Sequence, residues 1–177
     1  MAAEAGREEH ASVRRLVQVV TEQYQLWVRG IHGIAHWGRV LENGRRLAPL
    51  TGADLRVVEL FAIFHDACRL NDGFDPDHGP RGAALARTHR REIELNDVGF
   101  ALLLEACDCH TRGPRPGADI TVQTCLDADR LDIPRVGPRI RPELLFTSAA
   151  RDRRMIGWAG ARGARMEIPL VCKQEWS

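Results

Sequence analysis

The sequence predicts an all-α protein, a single compact helical domain of about six to seven helices. Apolar residues recur at three- and four-residue steps along most of the chain, and clusters of Gly, Pro, Asn and Asp interrupt them at intervals of helix length. Alternation of apolar and polar residues, the mark of a half-buried strand, reaches useful length only around Glu167 to Val171.

The first helix is expected from about Glu4 to Arg29, on the spacing of Val13, Leu16, Val17, Val20, Tyr24 and Trp27. Gly30 and Gly33 break it, and a second helix carries Trp37, Val40, Leu41, Leu47 and Leu50. After a turn at residues 51–54, Asp54 is placed to cap a third helix. That helix holds Val57, Val58, Leu60, Phe61, Ile63 and Phe64, and its apolar run marks it as a core element. Residues 71–77 form the clearest loop, and a helix is expected from His78 or soon after. Asn96 or Asp97 caps the next helix, which runs to about Cys109 and His110. A second loop spans 111–117, and the segment from Asp119 to Asp132 reads helical until Pro134 stops it. One more helix is expected within 140–150. Residues 1–150 are therefore taken as the folded domain, and 151–177, rich in Gly, Ala and Arg, as a poorly ordered tail.

Composition excludes several classes. With 44% hydrophobic and 28% charged residues, the 177-residue chain can build a core and keep a polar surface. No apolar run approaches the roughly 20 residues needed to cross a bilayer, and the acidic start of the chain does not read as a secretory signal. A net charge of +1 gives no strong nucleic-acid or membrane signal. The five cysteines form no repeated pair motif and are read as reduced thiols of a cytoplasmic protein. Lys173 is the only lysine, so a cation that meets a ligand is expected to be the forked guanidinium of an arginine.

The chemistry centres on His65 and Asp66, which close the most apolar helix. Adjacent ionisable groups at the end of a buried run need compensation. A divalent metal ion supplies it, as does a core imidazole bonded to its neighbour or an Asp at a helix end. The other polar residues on apolar helices are His36, His78, His110, Asp127 and Asp129, each near one end of its element. His32, one turn before His36, reads as a loop residue beside Gly33.

In order and local context, these residues resemble the HD-domain metal-dependent phosphohydrolases. His36-Trp37-Gly38-Arg39-Val40 is similar to the family's H-x-x-R-V motif, and Phe64-His65-Asp66 to its His-Asp pair. His78 to Ala83 is similar to H-x-x-x-G-A, and Ala128 to Asp132 to A-D-x-L-D. The resemblance covers residues 30–135, and its strength lies in four motifs in order on helices.

The resemblance implies His36, His65, Asp66 and Asp129 as metal ligands, with Asp127 as the alternative to Asp129. His78 and His110 fall where further histidines join in two-metal members, or where substrate and water are positioned. One or two divalent ions per chain are implied, from Mn, Co, Ni, Mg, Fe or Zn. The implied reaction is attack of metal-activated water on a phosphate ester of a nucleotide or small phosphorylated metabolite. Asp66, Asp127 and His110 are its candidate catalytic groups, and Arg69, Arg81 and His78 its candidate substrate contacts. Arg112, by contrast, reads as solvated loop charge. Many members carry His-Asp-x-Gly-Lys, whereas this chain has Cys68 and Arg69 in the last two places, which keeps a phosphate-binding cation and makes it bidentate. A di-iron oxygenase on the same scaffold is the alternative enzyme. A non-catalytic metal-binding module, docking through its first helix or a tail with Trp158 and Trp176, is the alternative outside enzymes. The sequence does not fix the oligomeric state.

Overall fold

The computed structural model describes residues 2–174 and Trp176, with side chains from Val13 onward. All its regular structure is helical: α1 (Ala2–Gln23), α2 (Ile34–Thr51), α3 (Leu55–Phe64), α4 (His78–Thr88), α5 (Asp97–Cys109), α6 (Ile120–Arg130), α7 (Arg153–Ala164) and α8 (Leu170–Gln174). Short 3-10 turns at Ile133–Val136 and Pro142–Leu144 follow α6. Among the described residues there is no strand, and no helix is long and apolar enough to cross a membrane.

α3 is the centre of the molecule. Its Val57, Val58, Leu60, Phe61, Ala62, Ile63 and Phe64 are all buried, and it packs on α1, α2, α4, α5 and α6. A helix apolar around most of its circumference has no stable place except among other helices. Its start is fixed locally, because the Asp54 carboxylate accepts from the Arg56 and Val57 backbone amides, a cap that contributes about 1 kcal/mol. Asn96 caps α5 by accepting from Gly99 N, and Asp119 caps α6 by accepting from Thr121 N.

α4 comes unusually near the end of α3. A Cβ at Gly82 would lie 2.3 Å from the Phe64 carbonyl oxygen, and one at Gly79 would lie 2.4 Å from that of Cys107. Two hydrogen side chains one turn apart therefore let α4 press its first turn against the ends of α3 and α5, where His65 and His110 stand.

Three expectations are corrected. The first helix ends at Gln23, not Arg29, and Trp27 is 72% exposed. Tight turns replace the last part of the expected helix, with Gly30 N donating to Trp27 O at 2.7 Å and Ile34 N to Val28 O at 2.9 Å, and they fold His32 back toward α3. The helix expected within 140–150 is only the turn at Pro142–Leu144. The buried Asp127 carboxylate accepts from Phe146 N, Thr147 N and Thr147 Oγ1, each at 2.8 Å, and those amides are then lost to a helix.

The segment read as a tail is folded, and its strand-like stretch leads into α8. Asp152 caps α7 through the Arg154 and Met155 amides, and Met155, Ala159, Arg162 and Gly163 are buried. The small residues that resemble tail composition permit close packing, since a Cβ at Gly163 would lie 2.9 Å from Asp132 Oδ1. Trp158 is clamped between the guanidinium groups of Arg46 and Arg162, at 4.5 and 4.4 Å from its ring. Trp176 is 7% exposed, so these two tryptophans belong to the fold rather than to a free tail.

Candidate metal centre

Helices α2 to α6 each deliver a His or Asp to one layer. His36 lies in the first turn of α2, His65 and Asp66 follow α3, His78 opens α4, His110 follows α5, and Asp129 lies in the last turn of α6. His36 and His65 have no exposed surface, and Asp66, His78 and His110 are buried. Three groups have ligand atoms within metal-binding reach of one another: His32, His36 and Asp66; His36, His65 and Asp129; Asp66, His78 and His110.

Asp66 joins them. On one side its Oδ2 lies 3.5 Å from His36 Nε2, 3.9 Å from His65 Nε2 and 2.9 Å from His32 Nδ1. On the other, its Oδ1 lies 3.0 Å from His78 Nε2 and 3.6 Å from His110 Nε2. Asp129 Oδ1 completes the first side, at 3.4 Å from His36 Nε2 and 3.8 Å from His65 Nε2.

The chemistry of the donor set fits a metal ion. A carbonyl oxygen only accepts, so the nitrogen facing it carries the ring proton. His65 Nδ1 faces the carbonyls of Phe61 and Ala62, both at 3.2 Å, His110 Nδ1 faces that of Cys107 at 2.8 Å, and His78 Nδ1 faces that of Asp75. His36 Nδ1 lies 2.7 Å from Asp132 Oδ2. With one proton directed outward, each of these four imidazoles has its Nε2 turned inward, where it can give a lone pair to an ion. The Nε2 atoms lie 3.0 Å apart between His36 and His65, and 2.8 Å apart between His78 and His110. Two nitrogens so close need a shared proton or a metal ion to relieve the repulsion of their lone pairs, and ligands about 2.1 Å from one ion at a right angle stand about 3.0 Å apart.

In the metal-free protein the carboxylates draw a proton to the place an ion would take. Burial and the Arg135 charge oppose a proton on His36, yet hydrogen bonds to Asp129, Asp132 and Asp66 push its pKa up to about 9. Burial pushes His65 down to about 3, against the pull of Asp66 and Asp129. Burial works against ionisation of Asp66 and Asp129 too, but the surrounding histidines hold both carboxyls well below the usual range. The centre is thus a pair of ionised carboxylates that concentrates positive charge.

The outer residues were less legible. Asp132 is 1% exposed and takes both His36 Nδ1 and Arg39 Nε, each at 2.7 Å. Arg39 Nη1 in turn donates to Glu167 O at 2.8 Å. The signal for this lock is the i,i+3 spacing of His36 with Arg39, which sets that pair on one face of α2, with Asp132 following in the turn just after α6. His32 is a site residue rather than a plain loop residue, with its Nδ1 between Asp66 Oδ2 and Arg135 Nη2, 3.2 Å from the latter. Nothing local marks Arg135, which stands in the 3-10 turn after α6.

A cavity of about 310 Å³ lies over the centre, lined by His32, Asp66, Arg69, His78, His110, Asp129 and Arg135 among others. Arg69 is held there by Gly73 O at 2.8 Å and Asn71 O at 3.3 Å, with Nη1 3.5 Å from Asp66 Oδ1. His78, expected as a further ligand or a substrate contact, lies among the ligand-competent groups and also lines the cavity. Two candidates lie elsewhere. Arg81 grips Asp75 at 2.6 and 2.7 Å and the Cys68 carbonyl at 3.0 Å, so it braces the 71–77 loop. Asp127, two residues from Asp129, points to the 145–147 segment, where both its oxygens are engaged. Arg112 pairs with Asp77 at 2.9 Å on the surface.

Fold and site together define a class: an all-helical protein whose helix ends build a buried His–Asp centre suited to a divalent ion. Among solved structures the chain is similar to a predicted HD superfamily hydrolase from an uncultured Thermotogales bacterium, with a TM-score of 0.65 and 26% identity over 86% of this chain and 87% of that one. The sequence matches no family model and no curated protein. The chain thus has an HD-type helical fold, and its motifs resemble those of HD-domain proteins.

Proposed function

We propose that the protein hydrolyses a phosphate ester, of a nucleotide or a small phosphorylated metabolite, with the help of one or two divalent metal ions. His36, His65, Asp66 and Asp129 would hold the first ion, and His78 and His110, with the other oxygen of Asp66, a second. The observation that carries the reading is the convergence of four outward-protonated imidazoles on the two oxygens of Asp66. When bound, a divalent ion supplies Lewis acidity that acidifies water and neutralises phosphoryl charge.

The chain's own groups suit that substrate. One divalent ion balances Asp66 and Asp129, and the guanidinium groups of Arg69 and Arg135 outweigh the remaining carboxylate of Asp72, so the cavity lining stays positive toward an anion. Their backbone bonds, to Gly73 O and to Ile31 O at 2.8 and 2.9 Å, orient the forks in advance. His110, anchored through Nδ1, can hold or return a proton at Nε2 when that nitrogen is not ligating. The hydrolase named among the similar structures supports the same class of reaction.

Metal analysis of the purified protein and of Asp66→Ala, with phosphate release measured across Mn, Co, Ni, Mg, Fe and Zn, tests the proposal. Stoichiometric metal and turnover, both lost in the variant, support it. Activity that survives in the variant rejects it. The two-sided use of Asp66 also suits a di-iron oxygenase, which two equivalents of iron and oxygen uptake without phosphate release would select.

A further inference from the structure

We propose that the substrate is an organic phosphate with an apolar body and a second anionic group at its far end, read by residues 133–145. This rests on the phosphohydrolase reading and deepens it. Beside the cavity over the metal centre lies a second one of about 310 Å³, and the two share Asp129, Ile133 and Arg135. A ligand whose phosphate sits at the centre can therefore continue past Arg135 and into this space. Ile133, Pro138, Ile140, Leu144 and Leu145 give it aliphatic walls. The volume suits a ring-sized body rather than a polymer.

The cations along it are not equivalent. Arg130 is bonded to the Leu144 carbonyl and lies 4.4 Å over the Phe146 ring. Arg141 is paired with Glu143 at 2.8 Å, and Arg135 is fixed by Ile31 O at 2.9 Å and Asp132 O at 3.3 Å. Arg139 is exposed on the lining and has no hydrogen-bond or ion-pair partner among the described residues. The one carboxylate on the lining is Asp129, at the end shared with the metal centre. Phosphate-binding groups where the two cavities meet, aliphatic walls and an exposed, uncommitted guanidinium on the lining complement a molecule that carries a second charge away from its phosphate.

The test compares phenyl phosphate with para-carboxyphenyl phosphate on the full-length, metal-loaded protein. The two share a ring and a scissile phosphate and differ in the distal charge. The carboxylated ester should be favoured in kcat/KM by about fivefold, and Arg139→Glu should remove or invert that preference. Calorimetric binding of the matching phosphonates should follow the same order in both proteins. A ratio near one in turnover and in binding, or a preference untouched by Arg139→Glu, overturns the proposal. If neither ester is hydrolysed while the phosphonates keep their order, the cavity assignment stands and the hydrolytic reading falls.

Discussion

His36 Nδ1 and Asp132 Oδ2 lie 2.7 Å apart in the core, and the other oxygen of Asp132 is bonded to Arg39 Nε at the same distance. The carboxylate thus fixes the His36 ring and directs its Nε2 at the centre. Partners of this kind commonly contribute 10–100-fold to metal affinity. Asp132→Asn, which keeps an acceptor but loses the charge, is expected to weaken metal binding by on the order of tenfold. Competition with a chelator of known affinity measures it.

Asp127 is expected to matter for stability and not for the metal. Asp127→Ala strips acceptors from Phe146 N, Thr147 N and Thr147 Oγ1. Leaving such groups unpaired costs about 3 kcal/mol in total. Denaturant unfolding should show that loss, while the metal content of the folded variant stays at the wild-type stoichiometry.

Gly82→Ala is expected to disturb the site through packing, because its Cβ would fall 2.3 Å from the backbone oxygen of Phe64. Backbone cannot yield as a flexible side chain does, so α4 must shift. The expected cost is about 1–3 kcal/mol, seen as a lower Tm, with weaker occupancy of the sites that use His78.

Metal binding should strengthen as pH rises toward about 9, the value to which His36 is pushed, because an ion must displace that proton. Calorimetry in buffers of different ionisation enthalpy should show protons released on binding, fewer of them at higher pH.

The metal-free protein should show the opposite trend over part of that range. A His whose pKa is raised on folding stabilises the fold below its unfolded value of 6.5, and that contribution is lost as pH climbs to about 9. His65, lowered to about 3, and the depressed carboxyls of Asp66 and Asp129 act the other way. Their contributions are lost as pH falls, from 6.5 downward for His65 and from the ordinary carboxylate range downward for the aspartates. Thermal melts of metal-free protein across pH should therefore peak in the mildly acidic to neutral range.

The sequence by itself determined the helices from α2 to α6, the cap of α3 at Asp54 and that of α5 at Asn96 or Asp97, and which elements carry His36, His65, Asp66, His78, His110 and Asp129. Helical period and capping are local properties, set by residues three or four apart, so they can be read before the chain is folded. The motif resemblance favoured Asp129 over Asp127, but tertiary structure alone decided that Asp127 braces the 145–147 segment, that His32 reaches Asp66 and that Arg135 borders the cavity. It also turned a glycine-rich stretch into α7, because small residues look like a flexible tail until a neighbour packs on them. Each of these depends on where a side chain meets a partner far away in sequence, and spacing along one helix carries no record of that meeting.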